Sequence, residues 1–184
     1  MKILCIGDSL TYGYGVERTA TWCSLASRIS GHEFLNHGVN GALTGEMREQ
    51  EIFGDELFVM GGLNNLFMGM PVAIPLTDIR MICKQACCQH IRPCVGIPMQ
   101  ISPEVSEAWC DGPVDIVNVR TAYAEYAEEL LLQCKQDGIR FIDFRPLISP
   151  SELSFDGIHL NRQGHLLMAE AIAACWPLKT ANKN

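Results

Sequence analysis

Short apolar runs alternate with helix-spaced apolar stripes from one end of the chain to the other, and few folds accept that pattern. Residues 2–6 (KILCI) read as a strand ending at Gly7. Trp22, Leu25, Ala26 and Ile29 then recur at the i, i+3, i+4, i+7 spacing of one helix face. Residues 33–37 (EFLNH) and 56–60 (ELFVM) read as the second and third strands, the third running into Gly61 and Gly62. Ile79, Ile82, Cys83, Ala86, Cys87 and His90 make another helical stripe, with Thr77 or Asp78 as its N-cap. Residues 94–101 (CVGIPMQI) give a fourth strand that Pro98 interrupts. Tyr123, Tyr126, Ala127, Leu130, Leu131 and Cys134 form a further stripe closed by Gly138. Residues 139–144 (IRFIDF) make a fifth strand, and Met168, Ala171, Ile172 and Cys175 mark the last helix. Strands and helices taken in turn, rather than in blocks, predict an α/β fold: a five-stranded parallel sheet covered on both faces, three layers in all. Without repeats, low-complexity tracts or linkers, the expectation is one domain over 1–178 with a flexible tail at 179–184.

Composition narrows the function classes. The 184 residues are 48% hydrophobic, too apolar for disorder, and carry a net charge of −7, too acidic for general nucleic-acid or anionic-membrane binding. No 18-residue stretch is free of charges or strong breakers, so membrane insertion is not expected. The nine cysteines are the odd entry. Only a few residues precede Gly7, too few for a secretory signal core, and there is no Asn-x-Ser/Thr sequon. The densest cluster, Cys83, Cys87, Cys88 and His90, lacks the paired C-x-x-C spacing of a structural zinc site. Cys83, Cys87, Cys134 and Cys175 fall on helical stripes, and Cys5 and Cys94 in strands, while Cys23, Cys88 and Cys110 have no clear place. The reading is a reducing, cytoplasmic compartment with thiols used as small apolar side chains, and no metal or cofactor.

In an open parallel sheet, ligands bind beyond the carboxyl ends of the strands. The polar residues there are Asp8 and Ser9 after the first strand; Gly38, Asn40 and Gly41 after the second; Gly61, Gly62, Asn64 and Asn65 after the third; and Asp156 and His159 beyond the fifth. Nucleophilic acyl transfer needs such a set: a serine, a base to take its proton, a carboxylate to orient the base, and donors for the oxyanion. Asp156 and His159 stand three apart, close enough for the carboxylate to hold Nδ1–H and leave Nε2 for Ser9. The G-x-S-x-G elbow of α/β-hydrolases, the P-loop and the dinucleotide fingerprint are all absent.

With these residues in place, the chain resembles the GDSL-type, or SGNH, hydrolases from Ile3 to the final helix. Gly7-Asp8-Ser9-Leu10 matches the block that carries the nucleophile, and Gly38-Val39-Asn40-Gly41 the block whose glycine joins the oxyanion hole. Gly61-Gly62-Leu63-Asn64-Asn65 matches the block with the oxyanion asparagine, and Asp156-Gly157-Ile158-His159 the terminal D-x-x-H. The resemblance implies a flavodoxin-like sheet in the order 2-1-3-4-5 and metal-free hydrolysis of esters or thioesters. It implies Ser9, Asp156 and His159 as the triad, with Ser9, Gly41 and Asn64 as the oxyanion donors. One position departs from the pattern: Asn65 stands where the family has an aspartate expected to brace neighbouring loops.

The substrate class follows less directly. Leu10, Tyr12, Tyr14, Phe67, Met68 and Met70 lie beside the first and third blocks and are candidates for an apolar acyl cleft, or else for a cap or dimer contact. The stretch 102–113 with Trp109 is a candidate lid. The expected partner is a small-molecule ester, with a homo-oligomer left open. Its rivals are a sugar O-acetyl esterase, which needs a polar open cleft, and an acyl-thioesterase, for which Arg18 and Arg48 are the basic candidates. Two further rivals, of other classes, are a non-catalytic binding domain and a cysteine-based redox or metal protein.

Overall fold

Five parallel strands form one sheet: β1 (Lys2–Gly7), β2 (Glu33–Gly38), β3 (Glu56–Met60), β4 (Arg92–Ile97) and β5 (Arg140–Asp143), in the order β2-β1-β3-β4-β5. The computed structural model describes residues 1–102 and 115–177. Trp109, Cys110, most of the stretch 102–113 and the tail 179–184 lie outside those described residues. Seven α-helices connect or flank the strands among the described residues: α1 (Ser9–Tyr12), α2 (Trp22–Ser30), α3 (Thr44–Arg48), α4 (Leu63–Phe67), α5 (Ala73–Cys88), α6 (Ile116–Asp137) and α7 (Arg162–Cys175).

Alternation along each strand sorts side chains into two cores, because successive Cβ atoms point to opposite faces. Leu4 and Ile6 of β1, Leu57 and Val59 of β3, and Val95 and Ile97 of β4 pack with α5 and α6 on one face. Ile3 and Cys5, Phe58 and Met60, and Cys94 pack with α2 and α7 on the other. The runs that read as continuous apolar segments in sequence are thus buried on both sides.

The helix stripes need correction where local chemistry overrides periodicity. Helix α5 begins at Ala73, so Thr77 and Asp78 lie inside it and neither caps it. Pro75 falls in the first turn, where its missing N–H costs nothing, and Thr77 Oγ1 donates to Ala73 C=O. The helix stops at Cys88; His90 lies beyond it with a positive φ of 59°, and Cys87 is exposed, so neither belongs to the core stripe. Ile29 is likewise exposed, and it is Cys23 that packs inward on α2. Strand β4 runs from Arg92 and ends before Pro98.

The amino-terminal edge of the sheet is locked by Glu56. Its buried carboxylate accepts from Arg92, from Arg140 and from the Trp176 indole N–H at 2.7 Å, and the Arg140 guanidinium lies 4.2 Å over the Trp176 ring. This network ties the end of α7 to β3, β4 and β5. The opposite, carboxyl-terminal edge, where the chain reverses between β1 and β3, is left for chemistry.

Candidate active site

Gly7 closes β1 because nothing larger fits: a Cβ there would stand 2.2 Å from Thr11 Oγ1 and 2.6 Å from Met60 C=O. The chain turns at once into α1, capped by Asp8, whose carboxylate accepts from Leu10 N–H at 2.9 Å. Ser9 is therefore the first residue of a helix at the end of a central strand. Burial pushes the Asp8 carboxyl up to about 6, against the lowering effect of the Leu10 N–H.

Asp156 and His159 sit on a tight loop between a 3-10 turn (Pro150–Glu152) and α7. An antiparallel bridge between Leu153 and Leu160 and the Ser154 N–H to His159 C=O bond close this loop. Gly157 (φ 72°) makes the bend, and its carbonyl accepts from Ser102 N–H at 2.7 Å. Asn161 caps α7 through Gln163 and Gly164 N–H, and its own amide donates to Ser151 and Leu153 C=O.

The loop brings His159 Nδ1 to 2.8 Å from Asp156 Oδ2, and His159 Nε2 to 2.8 Å from Ser9 Oγ. A carboxylate on Nδ1 selects the tautomer with its proton there, so Nε2 is the acceptor for the serine hydroxyl. Burial pushes the Asp156 carboxyl up. The Ile158 N–H, the His159 imidazole and the His159 N–H outweigh it and hold the group below the usual carboxylate range. Asp156 thus stays charged where it must orient the ring.

Three donors collect at the ends of β1, β2 and β3. The N–H groups of Ser9 and Gly41 have no acceptor among the described residues, and Gly41 (φ 75°) faces open space. Asn64 donates one amide proton to Ala42 C=O at 3.0 Å, which joins the loops after β2 and β3 and leaves its second proton. The substitution at Asn65 is accommodated locally. Its buried Oδ1 accepts from Thr44 N–H at 3.1 Å and its Nδ2 donates to Met70 Sδ at 3.4 Å. Thr44 is held on its other side from α5: Asp78 accepts from Thr44 Oγ1 at 2.8 Å and from Arg48 at 2.9 Å.

Among the described residues, the candidates for an apolar cleft fall in several places. Leu10 is buried, and its side chain packs with the α2 and α7 cluster rather than at the surface. Tyr12 borders a groove of mixed lining, about 480 Å³, beside β2 with Arg18, Phe34 and Asn36. Phe67, Met68 and Met70 line another of about 470 Å³, between α4 and α6. Tyr14 instead lies against His159. Arg48 is held by Asp78 and Glu49.

His165, which the sequence leaves as either structural or exposed on the last helix, is buried and accepts from Trp22 N–H at Nδ1 (3.2 Å). The Trp22 indole N–H in turn donates to Leu10 C=O at 3.0 Å, so the pair ties α7 to α1. Burial and then the nearby His159 lower its pKa to about 4, so it stays neutral. Its signal was present, since His165 shares a helical face with Met168, Ala169 and Ile172. Three buried thiols are not poised for chemistry: burial pushes Cys94 and Cys134 up to about 12 and raises Cys23 as well. Among the described residues, no three His, Cys, Asp or Glu side chains converge to hold a metal.

Comparison with known proteins agrees with this architecture. The model of the GDSL-like lipase/acylhydrolase family matches residues 5–167. No curated protein matches the chain by sequence. Among solved structures, a member of the lipolytic G-D-S-L family from Veillonella parvula is 22% identical with a TM-score of 0.77, covering 95% of this chain and 97% of that one. The native aryl esterase of M. smegmatis is 15% identical at a TM-score of 0.81, with 95% and 97% covered. A carbohydrate acetylesterase from Sinorhizobium meliloti is 17% identical at 0.72, again with 95% and 97% covered. These structures share the fold, and the family match spans both ends of the site, from the nucleophile block to the D-x-x-H loop: the chain belongs to the GDSL-like lipase/acylhydrolase family of ester-bond hydrolases.

Proposed function

We propose that this protein is a serine carboxylester hydrolase that cleaves small or short-chain acyl esters through an acyl-enzyme. The observation that carries the reading is the unbroken chain Asp156–His159–Ser9, with both links at 2.8 Å. Ser9 Oγ attacks the acyl carbon as His159 Nε2 takes its proton, while Asp156 holds Nδ1–H and steadies the imidazolium. The Ser9 and Gly41 N–H groups and the Asn64 amide receive the oxyanion. Collapse of the tetrahedral intermediate expels the alcohol, which leaves with the proton from His159. Water then attacks the acyl-enzyme with His159 again as base, releasing the acid and restoring Ser9.

An open rim supports the short-chain part of the reading, since Tyr14, Val39 and Met68 are exposed by 39, 51 and 70%. The thioesterase reading loses Arg48 to its ion pair with Asp78. The acetylesterase activity of the S. meliloti neighbour makes a sugar acetate the natural second arm of a substrate panel. The free thiols among the described residues suit the reducing, cytoplasmic setting that belongs to the same proposal. A fluorophosphonate should label Ser9, and a panel of esters graded in acyl length should be hydrolysed fastest at short chains, with Ser9→Ala inactive. Folded protein that resists the fluorophosphonate would overturn the reading in favour of a binding domain.

A further inference from the structure

The in-plane edges of His159 are both committed, Nδ1 to Asp156 and Nε2 to Ser9. One face of the ring is covered by an aromatic side chain: the Tyr14 and His159 centroids are 4.5 Å apart with planes inclined at 41°. Tyr14 is not a casual neighbour. Its N–H donates to Ser9 C=O at 3.1 Å, beside the Gly13 N–H to the same oxygen at 2.9 Å. The flanking Gly13 (φ 89°) and Gly15 (φ 85°) supply the left-handed turns that fold the segment back over α1. The ring that meets the base is therefore tethered through its own backbone to the nucleophile's residue.

We propose that Tyr14 is a positioning residue for the general base: its ring fixes the imidazole plane between Asp156 and Ser9 and stabilises the imidazolium formed when Ser9 gives up its proton. The inference rests on the triad reading above. The physical reason is the ring quadrupole, whose negative face attracts a cation more than it attracts the neutral imidazole. The preference thus appears only as charge develops, which is the condition for lowering a barrier rather than tightening a ground state. Asp156 on its own loop, Ser9 on α1 and His165 on α7 also face His159. His165 is neutral above about pH 4, so Asp156 and Tyr14 act as the stabilisers of the charged ring over the working range.

The sign of one measurement separates this role from simple shielding. A ring that merely keeps water off His159 disfavours the imidazolium, and its loss would raise the histidine pKa. A ring that stabilises the cation does the reverse. Wild type, Tyr14→Phe, Tyr14→Leu and Tyr14→Gln should be compared by NMR titration of labelled histidine and by the pH profile of ester hydrolysis, with circular dichroism checking the fold. The Leu and Gln variants should lose roughly three- to fivefold in kcat with KM little changed, their His159 pKa and acid limb moving down by about half a unit. Phe should restore both. Either variant suffices should the other fail to fold. An unchanged or raised His159 pKa, or failure of Phe to rescue, overturns the proposal. If wild type itself neither turns over esters nor labels at Ser9, the triad reading fails instead, and the inference falls with it.

Discussion

Asn64 gives one amide proton to Ala42 C=O, and in the proposed mechanism the other meets the developing oxyanion. Replacing it with alanine should lower kcat by roughly 10²–10³ with little change in KM, since the bond strengthens only in the transition state. Steady-state kinetics on an activated acetate ester would check this, and undiminished turnover would remove Asn64 from the oxyanion hole. The residues that make this chemistry are legible in the sequence, because acyl transfer demands a short list of groups and the four blocks carry them in order. Their neighbours are not. Asn65 reads as a lost carboxylate, yet its amide oxygen accepts from Thr44 N–H, and Asp78, distant in sequence on α5, accepts from Thr44 Oγ1. No local pattern announces that one threonine is held from two helices.

Strands β1 and β3 are readable to within a residue or two because both their faces are buried and their sequences are continuously apolar, whereas the run 94–101 outlasts β4, which ends at Ile97 before Pro98. The short helices α1, α3 and α4 are not, since helices of four or five residues leave no periodic stripe to read. Elements also differ in what fastens them. Helix α7 is anchored at its far end by Trp176 on Glu56 and by Arg140 over the indole. Glu56→Gln should destabilise the protein by about 2 kcal/mol, less than a fully enclosed ion pair would lose, because both arginines still reach water. Urea unfolding measures that loss. kcat should stay at the wild-type value in the folded range, because the network lies at the edge of the sheet away from Ser9. A drop in kcat without a drop in stability would mean that the two edges are coupled.

Across the whole molecule, two buried groups pull acid stability in opposite directions. Asp8 titrates near 6 in the folded protein against 3.8 ordinarily, so the fold binds its proton more tightly and the stabilisation is lost as pH rises from about 4 to 6. His165 titrates near 4 against 6.5, so the fold resists its proton and stability is lost as pH falls from about 6.5 to 4. Each effect amounts to about 3 kcal/mol, and in the wild type they largely cancel. Asp8→Asn should therefore make stability fall steeply below pH 6.5, whereas His165→Gln should make it fall as pH rises from 4 to 6. Urea midpoints measured across that range test both slopes, and parallel curves for the two variants would refute the assignment.

From its sequence alone, this chain set the parallel αβα class, the central strands, and the serine, histidine and aspartate that the proposed mechanism uses. Those depend on local periodicity and on the few side chains able to perform acyl transfer. Only the tertiary structure decided that Leu10 lies in the core, that Tyr12 and Phe67 border separate grooves, and that Tyr14 covers His159. Each of those outcomes is set by which distant surfaces the sheet order brings together. A residue's own neighbours in sequence carry no record of them.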